Sequence, residues 1–183
     1  MPEVYDEAAT LEMFLAITAG DVAKALRAIE SGADPNAIRD EPGNSALMLC
    51  ALYHKPVIAK ALLEKGANPD YARPKGGDTA LIMTAFSNDR ETAKLIVDAG
   101  ANILKQNHSN QDAMMHAHSE GNHTMAPLFR QWADERDVRV ARQKADEQLR
   151  QNIADIVAVT ENGLNTPLRV MKPLTLSRRF MNG

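Results

Sequence analysis

The stretch EKGANPDYARPKGGDTALIMTAF, residues 64–86, holds the phrase that decides the fold. Its Gly-Ala-Asn begins at Gly66, 34 residues after the Gly-Ala-Asp at Gly32 and 34 before the Gly-Ala-Asn at Gly100. A turn phrase recurring at fixed spacing points to a repeat architecture. Setting the glycines in register aligns further columns. Ser45 opens SALMLCA 21 residues before Gly66, and Thr79 opens TALIMTA 21 residues before Gly100. QDAMMHAHSEGN (111–122) is a fainter later copy, and LEMFLAITAGD (11–21) a degenerate first one. Each unit reads as a short apolar helix, a turn, a second helix such as VIAKALLEKG or TAKLIVDAG, and a loop. Two helices of that length cannot bury their apolar faces alone, so the units must stack.

The punctuation has local reasons. Gly32, Gly66 and Gly100 each end a helix, where a left-handed conformation is cheap only for glycine. EPGN (41–44) and PKGGD (74–78) are turn formers that predict projecting fingers. In ADPNA and ANPDY a proline follows the Asx residue, which starts an extended segment rather than a helix.

The phrases GNSALMLCA, GDTALIMTA, ALLEKGANPD and LIVDAGANI resemble the ankyrin repeat family. The family's Thr-Pro-Leu-His opening stands here as Ser45-Ala46-Leu47-Met48, Thr79-Ala80-Leu81-Ile82 and Asp112-Ala113-Met114-Met115. The Ser, Thr or Asp can still cap the helix. The resemblance implies an all-α solenoid of helix-turn-helix units with finger loops, in four repeats at about 8–36, 37–70, 71–104 and 105–132. The spacing of 34 rather than the family's usual 33 suggests an extra finger residue near Arg73-Pro74.

Beyond Trp132 the pattern changes. Residues 133–159 read as one helix of roughly 40 Å at about 1.5 Å per residue. Val138, Ala141, Ala145, Leu149, Ile153 and Ile156 recur along it at steps of three or four and make one apolar stripe. Either the helix caps the fourth repeat and packs along the stack, or part of the stripe is a dimer or partner surface. Residues 160–183 carry Gly, Asn and two prolines that forbid a helix. Their apolar residues, with Arg169, Lys172, Leu174, Leu176, Arg178, Arg179 and Phe180 among the expected contacts, suggest an extended basic peptide that lies in a groove of this chain or of another protein.

The chain has 183 residues, 44% hydrophobic and 25% charged, the composition of an ordinary globular protein. No apolar run approaches the roughly 20 residues of a membrane helix, and no basic region precedes an apolar one at the start. The lone Cys50 fits a reducing compartment, so a cytoplasmic location is expected. Net charge is −3, which argues against non-specific nucleic-acid binding. Residues 1–132 hold 12 Lys/Arg against 17 Asp/Glu, and residues 160–183 hold 4 against 1, so an acidic body carries a basic tail.

Chemistry has few candidates here. His108, His116, His118 and His123 cluster in sequence, but His116 and His118 are two apart and point to different helix faces, whereas ligand pairs prefer four. His118 falls where the family carries a small packing residue. Cys50 sits on the buried side of a first helix, where a thiol is inert. PKGGDTA lacks the Lys-Ser/Thr ending of a phosphate loop. Met13, Met48, Met83, Met114 and Met115 occupy core columns rather than a cofactor site. The expectation is a chain without catalysis, metal or cofactor.

The resemblance implies a partner-binding concave side made of finger tips and first-helix ends. Those positions here are Glu41, Pro42 and Asn44; Lys75 and Asp78; His108 and Gln111; Leu52 and Tyr53; Phe86 and Ser87; Ser119 and Glu120. Exposed Tyr53 and Phe86 would be anchors, unless both pack under the neighbouring finger. The expected function is therefore protein binding as an adaptor, inhibitor, immunity or effector-type module, monomeric or dimeric, with the tail as second contact or self-plug. The alternative is a structural subunit assembled through the C-terminal helix and tail.

Overall fold

The computed structural model describes residues 5–161, and the tail contacts expected at 169–180 lie outside them. The described chain is all helical: α1 (Glu7–Ala19), α2 (Val22–Glu30), α3 (Asp40–Gly43), α4 (Ala46–Leu52), α5 (Pro56–Glu64), α6 (Ala80–Ser87), α7 (Arg90–Asp98), α8 (Ala113–Ser119) and α9 (Met125–Glu161). It divides into two units, with the boundary between Asp137 and Val138.

In the first unit the caps fall on the expected columns. Ser45 accepts from the Met48 amide at 3.3 Å, Thr79 from Ile82 at 3.3 Å and Asp112 from Met115 at 2.8 Å. Asp21 and Asp89 cap α2 and α7 in the same way, while α5 opens on Pro56, whose missing N–H is no loss at a first-turn position. Gly32, Gly66 and Gly100 have φ of 99°, 84° and 94°, which an L side chain rarely adopts.

The recurring Gly-Ala-Asx phrase also links neighbouring repeats. The side chains of Asp34, Asn68 and Asn102 each accept from the amide two residues on, at 2.8, 2.9 and 3.1 Å, closing an Asx turn. Asn36 and Asp70, one column further, reach into the next repeat. Asn36 Oδ1 accepts from the Asn68 amide at 2.7 Å, and Asp70 Oδ1 from the Asn102 amide at 2.8 Å. Each loop is thus tied to the next.

First helices stack as α1–α4–α6–α8 and second helices as α2–α5–α7. Leu47 and Leu81 occupy one column between them at 1% and 2% exposure, and Ile58, Leu62 and Ile96 are fully buried. The first turns of α9 complete this core with Met125, Ala126, Phe129 and Trp132; Phe129 and Trp132 meet edge to face at 5.7 Å. Both fingers close on a single bridge, Ile38 with Ser45 and Ala72 with Thr79, and are equal in length.

The end of the stack departs from two expectations. No helix ends at Trp132: α9 runs through 133–137 unbroken, because ADERD contains neither glycine nor proline to stop it. Ala117, not His118, is the small packing residue, buried where His118 is exposed. Met115 is likewise 45% exposed, and Met83 and Met114 are partly buried, while Met13 and Met48 are core. His118 and Met115 stand in columns that a following repeat would cover. His118 instead shares the end face with Arg130, Gln131, Asp134 and Glu135 of α9, a polar finish suited to water.

In the second unit α9 continues from Val138, and the described side chains up to Asp155 are exposed except for half-buried Asn152. No helix among the described residues is long and apolar enough to cross a membrane.

Candidate functional site

The first helices α4, α6 and α8 and the fingers before them enclose a cavity of about 340 Å³. Met48, Leu52, Ile82, Met83 and Phe86 give it an apolar floor. Asn44, Arg73, Asp78, His116 and Glu120 supply its polar groups. Five of the expected contact residues, Asn44, Leu52, Asp78, Phe86 and Glu120, therefore line one space.

The two fingers differ in how they hold their polar groups. In the third repeat Arg73 and Asp78 form an ion pair, and Asp78 Oδ1 accepts from Asn107 Nδ2 at 2.8 Å. Asn107 in turn accepts from the amides of Ser109 and Gln111. Asp78 is only 8% exposed. It was expected as a partner contact, but its carboxylate is engaged in joining the third finger to the fourth. The second repeat carries Arg39 and Asn44 at the equivalent positions, 34 residues earlier. An amide cannot form that ion pair, and here only the backbones of Arg39 and Asn44 bond, at 2.9 Å.

Three buried polar atoms on this lining have no hydrogen-bond partner among the described residues: Asn44 Oδ1, Arg73 Nε and His116 Nδ1. An unmade bond to a buried polar atom costs about 1–3 kcal/mol. One is an acceptor, one a donor, and the imidazole nitrogen can be either.

Other expected contacts fall elsewhere. Pro42, Lys75 and His108 are exposed on the fingers; the backbone of Glu41 lies in α3. Gly77, with φ of 74°, lets the third and fourth fingers meet: a Cβ there would stand 2.5 Å from His108 Cδ2 and 2.9 Å from the His108 amide nitrogen. Ser87 is committed to the Ala51 carbonyl at 2.7 Å, and Gln111 reaches Ser119 at 3.4 Å. Tyr53 and Phe86 are 43% and 59% exposed, so neither is tucked under a finger.

Sequence reasoning missed His116 as a groove residue. It continues the column Leu15, Leu49, Met83, at spacings of 34, 34 and 33, and counting from the Asp112 cap would have found it. It also missed Leu11, Leu15 and Ile38, which are 61%, 50% and 52% exposed and line a second cavity of about 610 Å³ in the first repeat. An apolar column that continues into a terminal repeat was the available signal.

Burial pushes the Cys50 thiol far above its usual range, with nearby Asp89 adding to the shift and Lys55 opposing it. Among the described residues no group of three His, Cys, Asp or Glu is placed to hold a metal ion.

No curated protein matches the chain. The family model of ankyrin repeats, in three copies, matches residues 13–107. Ankyrin repeats are generally modules for protein–protein interaction and typically non-catalytic. On that match, which spans more than half of its length, the chain belongs to the ankyrin repeat family.

Proposed function

We propose that this chain is a non-catalytic binding protein that grips an extended segment of a protein partner in the groove between α4, α6 and α8. The observation that carries this reading is the apolar floor of Met48, Leu52, Ile82, Met83 and Phe86 between the fingers, with Phe86 59% exposed. An apolar side chain would rest on Met48, Met83 and Phe86. Pro42, Lys75 and His108 are proposed as rim contacts. The tail residues Arg169, Lys172, Leu174, Leu176, Arg178, Arg179 and Phe180 are proposed as a second contact with the partner. Such a chain would serve as an adaptor, inhibitor or effector, and its single reduced thiol favours the cytoplasm.

A displayed library of random peptides tests the reading. Selection on the full chain should enrich peptides with a shared apolar position, and Phe86→Glu should weaken them at least about tenfold, since a buried aromatic anchor contributes more than about 1 kcal/mol. Failure to enrich any peptide, or enrichment of peptides that bind Phe86→Glu equally well, would contradict it.

A further inference from the structure

We propose that the cavity between α1 and the second finger is a docking site of its own, which takes a short basic segment of a protein partner. An apolar side chain of that segment rests on Leu11, Leu15 and Ile38, and a neighbouring Lys or Arg faces Glu7 and Asp34. The site is separate from the groove between α4, α6 and α8 and does not depend on it.

The first repeat departs from the pattern at the positions that build this cavity. α1 starts at Glu7, whereas α4 starts at Ala46, whose register position in the first repeat is residue 12. The added turn brings in Leu11, in the column that holds the capping Ser45 and Thr79 of the later repeats. Ile38 stands in the column of Ala72. Both side chains are more than half exposed, and with Leu15 they line one space of about 610 Å³. Stacking does not require them, since the later repeats stack with serine, threonine and alanine in those columns. A solenoid stays in solution by giving its terminal repeats a polar outer face. The far end has one, in His118, Arg130, Asp134 and Glu135. The first repeat instead groups three large aliphatic side chains around one cavity with polar residues at its edge, the character of an interaction surface.

Charge names the occupant. At the lining, the carboxylates of Glu7 and Asp34 face the single guanidinium of Arg39. Residues 1–44 carry nine acids and three cations, whereas residues 45–132 carry eight acids and nine cations. The negative field of the repeats is therefore concentrated on the part that holds the cavity, and the low-dielectric apolar wall focuses it. Such a field repels phosphate groups, which disfavours nucleic acids and anionic lipid surfaces and favours a cationic protein segment. The aliphatic wall selects an apolar residue beside the cation.

Displayed random peptides selected on the full chain test this. One class of enriched peptides should carry Lys or Arg beside an aliphatic or aromatic residue. Leu11→Ser with Ile38→Ala places the later repeats' residues at both positions and should weaken that class at least about tenfold through the lost apolar contact. Glu7→Lys should weaken it about fivefold, the scale of an exposed ion pair. All three positions are exposed, so the thermal transition should match that of the parent. Phe86→Glu should leave this class bound. Peptides of this class alone, with none sensitive to Phe86→Glu, would support this site and contradict the groove. Absence of the class would overturn the inference. So would a class indifferent to Leu11→Ser with Ile38→Ala, or one that Glu7→Lys leaves unchanged or strengthens.

Discussion

Leu81 and Leu149 are both leucines on the apolar stripe of an amphipathic helix, yet one is 2% exposed and the other 57%. Leu81 lies in a column that recurs every 34 residues, so a neighbouring repeat always supplies the opposing surface. Leu149 lies on a stripe whose period suits a helix but which has no second element written beside it in the sequence. Periodicity alone thus states which face is apolar. What covers that face is stated by the repetition, and α9 beyond Asp137 lacks it.

The sharpest way to break this comparison is thiol reactivity. Cys50 is fully buried and its thiol is held neutral, so it should label only when the stack opens. A Cys introduced at exposed Gln143 should react on the order of 1000-fold faster or more, given ordinary domain stability. Comparable rates would mean that the repeats do not protect their core. Among stability effects, Leu81→Ala should cost about 4 kcal/mol in denaturant unfolding, because the stack cannot collapse around the lost side chain. Gly77→Ala should cost about 2–3 kcal/mol, since the left-handed backbone is strained for alanine and the new methyl meets His108. Asp78→Ala should cost about 1–2 kcal/mol by leaving Arg73 and Asn107 without their acceptor. Leu149→Ala should leave the unfolding of the repeats within about 0.5 kcal/mol of the parent, as an exposed site does. A large loss there would show that α9 beyond Asp137 supports the stack after all.

The repeat fold was legible because its signals are local. A glycine that must turn left and an Asx that must accept two residues on recur at fixed intervals, and each can be read from a few residues. The continuation of α9 across Trp132 was not legible, since the sequence pattern changes there while the helix does not break. Asp78 read as a surface acid because its burial depends on Arg73, 5 residues away, and on Asn107, 29 residues away. The groove was half legible. Leu52 and Phe86 followed from the column count. The unpaired state of Asn44, by contrast, appears only when its repeat is set beside the one where Asp78 finds an arginine. His116 belongs to the groove through its column, Leu15, Leu49 and Met83, rather than through the histidine cluster.

The most direct test of the groove is site-specific photocrosslinking of the full chain to a library-selected peptide. A photoreactive residue at position 86 should capture the peptide, and one at position 57, an exposed site on α5 outside the groove, should not. Capture at 57 and not at 86 would contradict the account.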